Sequence, residues 1–134
     1  MGTYRGTISN DTITPDTLSP GVTADPAGTK PSAASDIISG MDGNDVLNGL
    51  GGADTISGGN GNDDVYMHLL EDYEEVTLSG NANLYGGGGN DHLWSSYDGP
   101  LIDLSAATYV FFGEAGDDTL EATYHYKTEN NDYG

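Results

Sequence analysis

The chain has 134 residues, with 22 Asp plus Glu against 3 Lys plus Arg, for a formal net charge of −19. Such a charge repels phosphate backbones and anionic lipid, which excludes nucleic-acid and anionic-membrane binding. With 35% hydrophobic residues, 21 Gly and no Cys, one domain without disulfides or thiolate metal sites is expected, held by something beyond an apolar core. The longest apolar stretch, Ala106 to Phe112, is too short to cross a bilayer. No basic-then-apolar leader follows Met1, so secretion through a cleaved signal peptide is not indicated.

Sixteen of the acids are Asp, set among Gly and Asn at a fixed interval, which calls for a search for repeats before secondary structure. From the amino end, Gly6 opens GTISNDTIT, with Asp11 sixth and Ile13 eighth but Ser9 fourth. Residues 14–35 hold every Pro except Pro100 and read as an inserted loop. The pattern is then written in full as GMDGNDVLN from Gly40, GLGGADTIS from Gly49 and GGNGNDDVY from Gly58. Each unit has Gly first and fourth, Asp sixth and an aliphatic residue eighth. The Asp column is Asp36, Asp45, Asp54 and Asp63, and the aliphatic column is Ile38, Leu47, Ile56 and Val65.

Met67 to Gly80 breaks phase and is either a short insertion or a wider coil, with Val76 and Leu78 alternating like a half-buried strand. Two more units, GGGGNDHLW from Gly86 and GEAGDDTLE from Gly113, carry Asp91 and Asp118. Apolar residues continue nine apart at Leu84, Leu93, Ile102, Phe111 and Leu120, while the matching Asp column reads Ala82, Asp91, Pro100, Tyr109 and Asp118. The uncharged run Ala106–Phe112 reads as a buried strand, with an assembly seam as the alternative.

These units resemble the RTX (repeat-in-toxin) nonapeptide, G-G-x-G-x-D-x-U-x, a calcium-binding β-helix repeat. The resemblance implies an all-β chain folded as a right-handed parallel β-roll, a β-solenoid with calcium bound between stacked turns. In that family the glycine-rich hexad is a turn, the last three residues a short strand, and two units make one coil. Calcium then joins unit n to unit n+2, pairing Asp36 with Asp54 and Asp45 with Asp63. Carbonyls of Gly40, Asp42, Asn44, Gly49, Gly51, Gly58 and Asn60 are the expected helpers. Neither Asp91 nor Asp118 has an Asp two units away; Asp72 or Glu74 is a candidate partner for Asp91, and a turn beyond Gly134 for Asp118.

Calcium takes six to eight oxygens, which recurrent carboxylates and inward carbonyls provide. Gly at the first and fourth places is expected to allow backbone angles that a Cβ forbids. One buried aliphatic residue per unit cannot offset the ordering of nine backbones, so the chain should be largely unfolded without calcium. The domain boundaries expected are 1–14 (degenerate first coil), 15–35 (Pro-rich loop), 36–66 (calcium repeats), 67–85 (insertion or wider coil) and 86–134 (degenerate continuation). His68, His92 and His125 show no zinc spacing. No nucleophile elbow or phosphate loop is present, and Val46 occupies the fifth place of an EF-hand read from Asp42.

No catalytic role is therefore expected of this chain. Resemblance to RTX proteins implies secretion by a type I system from a bacterium, and an extracellular or cell-surface location. A structural or adhesive role in a surface layer, adhesin or filament is expected first. The alternative is the folding and export module of a secreted protease, lipase or alginate epimerase. Calcium ions are the expected partners, with self-association or polysaccharide contacts at the cell surface, to which the nine Tyr can contribute. The chain closes on TENNDYG without a polar cap, so a fragment of a longer roll is expected.

Overall fold

The computed structural model describes residues 1–32, 34–69, 80–100 and 107–127. Eleven strands and no helix occur among them: β1 (Thr3–Arg5), β2 (Thr12–Ile13), β3 (Thr23–Asp25), β4 (Ile37–Asp42), β5 (Val46–Asn48), β6 (Thr55–Asn60), β7 (Asp64–Leu69), β8 (Gly80–Gly88), β9 (His92–Pro100), β10 (Ala107–Ala115) and β11 (Thr119–Lys127). From β4 onward, successive strands alternate between two sheets. One runs β10-β8-β6-β4-β1-β3 and the other β11-β9-β7-β5-β2. Every pairing is parallel except β1 with β3. This is the parallel β-roll that the repeat implied.

The eighth residue of each unit makes the core, because a strand sends alternate side chains to one face. In the first sheet Tyr4, Ile38, Ile56 and Leu84 lie in register, and in the second Ile13, Leu47, Val65 and Leu93 do so. All eight are buried, at about 1.5–3 kcal/mol for each large apolar side chain. Phe111 and Leu120 extend these columns into the last coil. There the burial fails, and Leu120 is 49% exposed.

Coil length is not constant. Asp residues in register are 34 apart at the first coil, 18 in the middle, then 28 and 27. The 27-residue coil keeps the nine-residue spacing seen from Leu84 to Leu120, as three units rather than two. Ile102 lies outside the described residues. Strands lengthen from six residues in β4 and β6 to nine in β8–β11. The wider coil buries an extra layer, Met67, Ala82 and Ser95. Residues 80–85 thus belong to β8, while 70–79 lie outside the described residues.

The Pro-rich segment does more than bridge two units. Its β3 pairs antiparallel with β1, Leu18 bridges to Ile13, and Leu18, Val22 and Ala24 pack on the core. At the other end, β10 is the outermost strand of its sheet among the described residues. Its Val110 and Phe112 are exposed, while Tyr109 and Phe111 are partly buried against the core. The run expected as a buried strand is therefore a half-buried terminal one, because the described residues place no further coil on it; Ala106 lies outside them.

Backbone angles refine the expected role of Gly. The fourth place does need positive φ, as at Gly61 (φ 121). The second place needs it too: Gly59 and Gly87 have φ 102 and 103, and Met41, Leu50 and Glu114 are forced to φ 83, 72 and 70. A left-handed conformation costs a residue with a Cβ about 1–2 kcal/mol. Glu114 is exposed, so Glu114→Gly removes strain without removing core. It is expected to stabilise the calcium-loaded chain by about 1 kcal/mol, read as a higher urea midpoint; a lower midpoint would refute the strain.

Candidate metal centre

Each repeat delivers its sixth residue, an Asp, to the mouth of a strand with the carboxylate turned inward. On one edge of the roll these side chains form a continuous column. The Asp11 N–H donates to Asp45 Oδ1 (2.7 Å), Asp45 N–H to Asp63 Oδ1 (2.8 Å), Asp63 N–H to Asp91 Oδ1 (2.8 Å) and Asp91 N–H to Asp118 Oδ1 (3.0 Å). On the opposite edge the Gly2 N–H donates to Asp36 Oδ1 (2.6 Å) and Asp36 N–H to Asp54 Oδ1 (2.8 Å). That column then stops, because Ala82 and Tyr109 follow in register.

Asp36 and Asp54 are therefore neighbours across adjacent coils, as are Asp45 and Asp63. The expectation that Asp91 and Asp118 lack Asp partners is corrected. Asp91 sits between Asp63 and Asp118, because the coils there span 28 and 27 residues instead of 18. Asp72 and Glu74, the substitutes considered for Asp91, lie outside the described residues. Asp11 joins the same column although its unit lacks the fourth Gly; the sequence signals were Gly6 at the first place and the spacing to Ile13.

The second carboxylate oxygen sets the chemistry. Oδ2 of Asp45, Asp54, Asp63 and Asp91 is buried without a hydrogen-bond partner, and these residues are 0–3% exposed. Each Oδ2 lies against the first Gly of its own turn, Gly40, Gly49, Gly58 and Gly86 in order. The first Gly is thus required by space for the carboxylate rather than by backbone angle. Asp36 differs, since Ser32 N–H fills its Oδ2 (2.9 Å). Asp11 differs likewise, with Thr7 N–H at 2.6 Å and the Thr7 hydroxyl at 2.9 Å from Oδ2.

Removal from water is the main reason that the four unfilled carboxyls titrate high. Burial raises Asp54 to about 8 and Asp63 to about 6, and raises Asp45 and Asp91 as well. The N–H bond from the neighbouring coil opposes this and stacked carboxylates add to it, but desolvation leads in every case. A half-satisfied buried carboxylate needs either a proton or a cation.

Among the described residues, no three His or acidic side chains converge on one point. Any ion must therefore complete its shell with main-chain oxygens, which suits calcium and does not suit zinc. Gly40, Asp42, Asn44, Gly58 and Asn60 lie on the five-Asp edge, Gly49 and Gly51 on the other. The Asn60 side chain donates to Asp42 Oδ1 (3.0 Å), and Asn44 Oδ1 accepts the Asn62 N–H (2.8 Å). The Asn44 bond is one rung of an outer ladder through Asn10, Asn44, Asn62 and Asn90 that ends on the Asp117 N–H. His92 is a clamp across coils, with Nε2 2.6 Å from Glu121 Oε2 and Nδ1 3.4 Å from Asp64 Oδ1.

Two outcomes follow from this geometry. A Cβ on Gly58 would overlap Asp63 Oδ2 and stand 2.6 Å from the Gly86 carbonyl oxygen. Gly58→Ala is therefore expected to weaken calcium affinity at least tenfold in a calorimetric titration, whereas Gly88→Ala, facing only Asn60 Oδ1 at 3.3 Å, should change it little. For pH, the folded-state values lie above the ordinary 3.8. Their contribution to the metal-free roll is full below about pH 4 and is lost as pH rises through about 6 and about 8. Circular dichroism in calcium-free buffer should show β content rising on acidification, and the calcium midpoint of folding should move to lower calcium between pH 8 and pH 5, because protons stabilise the folded carboxyls while the unfolded ones stay ionised. A calcium midpoint independent of pH would contradict the burial of these groups.

The comparisons agree with the geometry. The family described as RTX calcium-binding nonapeptide repeat (4 copies) matches residues 32–65, 76–96 and 110–123, together more than half of the chain. Neither the curated proteins nor the solved structures give a match. The matched residues all fall in a non-catalytic repeat module of a kind found in secreted proteins, and they include the unfilled carboxylates at Asp45, Asp54, Asp63 and Asp91. The chain is a calcium-binding parallel β-roll of the RTX nonapeptide-repeat family.

Proposed function

We propose that this chain folds on meeting calcium outside a bacterial cell and then serves as a structural or adhesive rod. The observation that carries the reading is the set of buried Oδ2 atoms on Asp45, Asp63 and Asp91 at one edge and Asp54 at the other, each without a partner. These four carboxylates, with Asp118 at the end of the column, are the proposed calcium ligands. Carbonyls of Gly40, Asp42, Asn44, Gly49, Gly51, Gly58 and Asn60 complete the shell. Bound calcium supplies the positive charge that the column lacks. The chain's own groups do the rest: N–H donors from each preceding coil hold Oδ1, and the first Gly of each turn leaves room for Oδ2.

Where calcium is scarce, stacking these carboxylates is opposed by desolvation and mutual repulsion, which keeps the chain open for export. Where calcium is abundant, binding stabilises the folded form by mass action. The structural role draws support from the far edge of the described stack. There β10 and β11 are the outermost described strands of their sheets, and Val110, Phe112 and Leu120 are 37%, 41% and 49% exposed. An edge of this kind pairs with whatever strand is offered to it, one from a second copy included.

Far-UV circular dichroism should show a coil in excess EGTA and β structure in millimolar calcium. Equal β content in both would overturn calcium-driven folding. Electron microscopy and sedimentation at millimolar calcium should show assemblies that EGTA dissolves. A chain that stays monomeric throughout would replace the structural role by that of an export module for a secreted enzyme.

A further inference from the structure

The inward Asp residues fall into two chemical classes. Asp45, Asp54, Asp63 and Asp91 each keep one buried oxygen without a donor. Asp11 and Asp36 are as deeply buried, at 3% and 2% exposure, yet protein donors reach their second oxygens. Asp11 Oδ2 accepts both the N–H and the hydroxyl of Thr7. Asp36 accepts the Gly2 N–H on Oδ1 and the Ser32 N–H on Oδ2.

The sequence explains the difference. The unit from Gly6 has Thr7 at its second place, where later units have Met41, Leu50, Gly59, Gly87 and Glu114, and Ser9 at its fourth, where they all have Gly. The Thr7 hydroxyl also accepts the Ser9 N–H (3.0 Å), so the turn closes around Thr7. The inserted segment, absent from later coils, brings Ser32 to Asp36 and lays Leu18, Val22 and Ala24 over the core. Donors to a carboxylate form strong, short bonds, and their positive ends point where a cation would have to sit.

We propose that the amino-terminal coil is an ion-free cap, in which Thr7 and Ser32 stand in for calcium at Asp11 and Asp36. Ions are confined to the sites built on Asp45, Asp54, Asp63, Asp91 and Asp118. The cap still offers the N–H groups of Asp11 and Asp36 to Asp45 and Asp54, so the first ion-dependent coil has a formed edge to dock on. This rests on the calcium reading above and adds which coils need the ion.

The test counts calcium on the full chain by native mass spectrometry and follows folding against calcium by circular dichroism. Asp11→Asn and Asp36→Asn should keep the wild-type count and shift the calcium midpoint less than twofold. Asp45→Asn and Asp63→Asn should each lose at least one ion and shift the midpoint tenfold or more. Loss of an ion from Asp11→Asn or Asp36→Asn overturns the cap while leaving the calcium reading intact. A wild-type chain that binds no calcium overturns both. Should Asp11→Asn not fold even in saturating calcium, Thr7→Val decides. An unchanged count with a lower thermal midpoint supports the cap; a lost ion or an unchanged thermal midpoint overturns it.

Discussion

A carboxylate taken out of water with only one of its two oxygens satisfied is the constraint around which this roll is built. Oδ1 of every inward Asp after Asp11 accepts an N–H from the coil before it, which fixes the stacking register of two coils at once. For four of them Oδ2 faces the turn interior and finds nothing. Left charged, such a group is costly to bury; protonated or joined to a cation, it is not. The first Gly of the turn and the calcium-binding chemistry of the repeat both answer to that one atom.

Register survives large changes in coil length for the same reason. An Asp and an aliphatic residue two positions later are all that a coil needs to return to the stack. The chain between can therefore be 34, 18, 28 or 27 residues without disturbing the columns. Stability in such a solenoid is a sum of neighbour contacts, so a wider coil adds a layer, Met67, Ala82 and Ser95, rather than breaking the fold. The two edges are not equivalent. One carries five Asp in a row, whereas Ala82 and Tyr109 end the other after two.

The molecule is also polar along its axis. At the amino end, hydrogen bonds from Gly2, Thr7 and Ser32 fill the carboxylates, and β3 with Leu18 and Val22 covers the core. At the other end of the described stack, Leu120 continues a buried column yet is half exposed. Stacked aromatic pairs, Tyr66 with Trp94 and Tyr85 with Phe112, run along the outer faces in the same direction. The Phe112 ring, in the outermost strand, is 41% exposed.

The sequence by itself determined the repeat, the family resemblance, the aliphatic columns and the side-by-side placement of Asp36 with Asp54 and Asp45 with Asp63. The repeat and its columns follow from periodicity, because one residue in nine always reaches the same place in a turn; the pairing followed from the family resemblance, which implies two units to a coil. Tertiary structure decided what periodicity cannot express. It placed Asp91 between Asp63 and Asp118, because partners across a coil depend on how long the coil is, and residues 67–85 carry no count of their own. It showed positive φ at Met41, Leu50 and Glu114, where the side chains disguise a glycine position. It also separated Asp11 and Asp36 from Asp45, Asp54, Asp63 and Asp91. All six are the same letter at the same place in the repeat, and only the donors that folding brings to the second oxygen tell them apart.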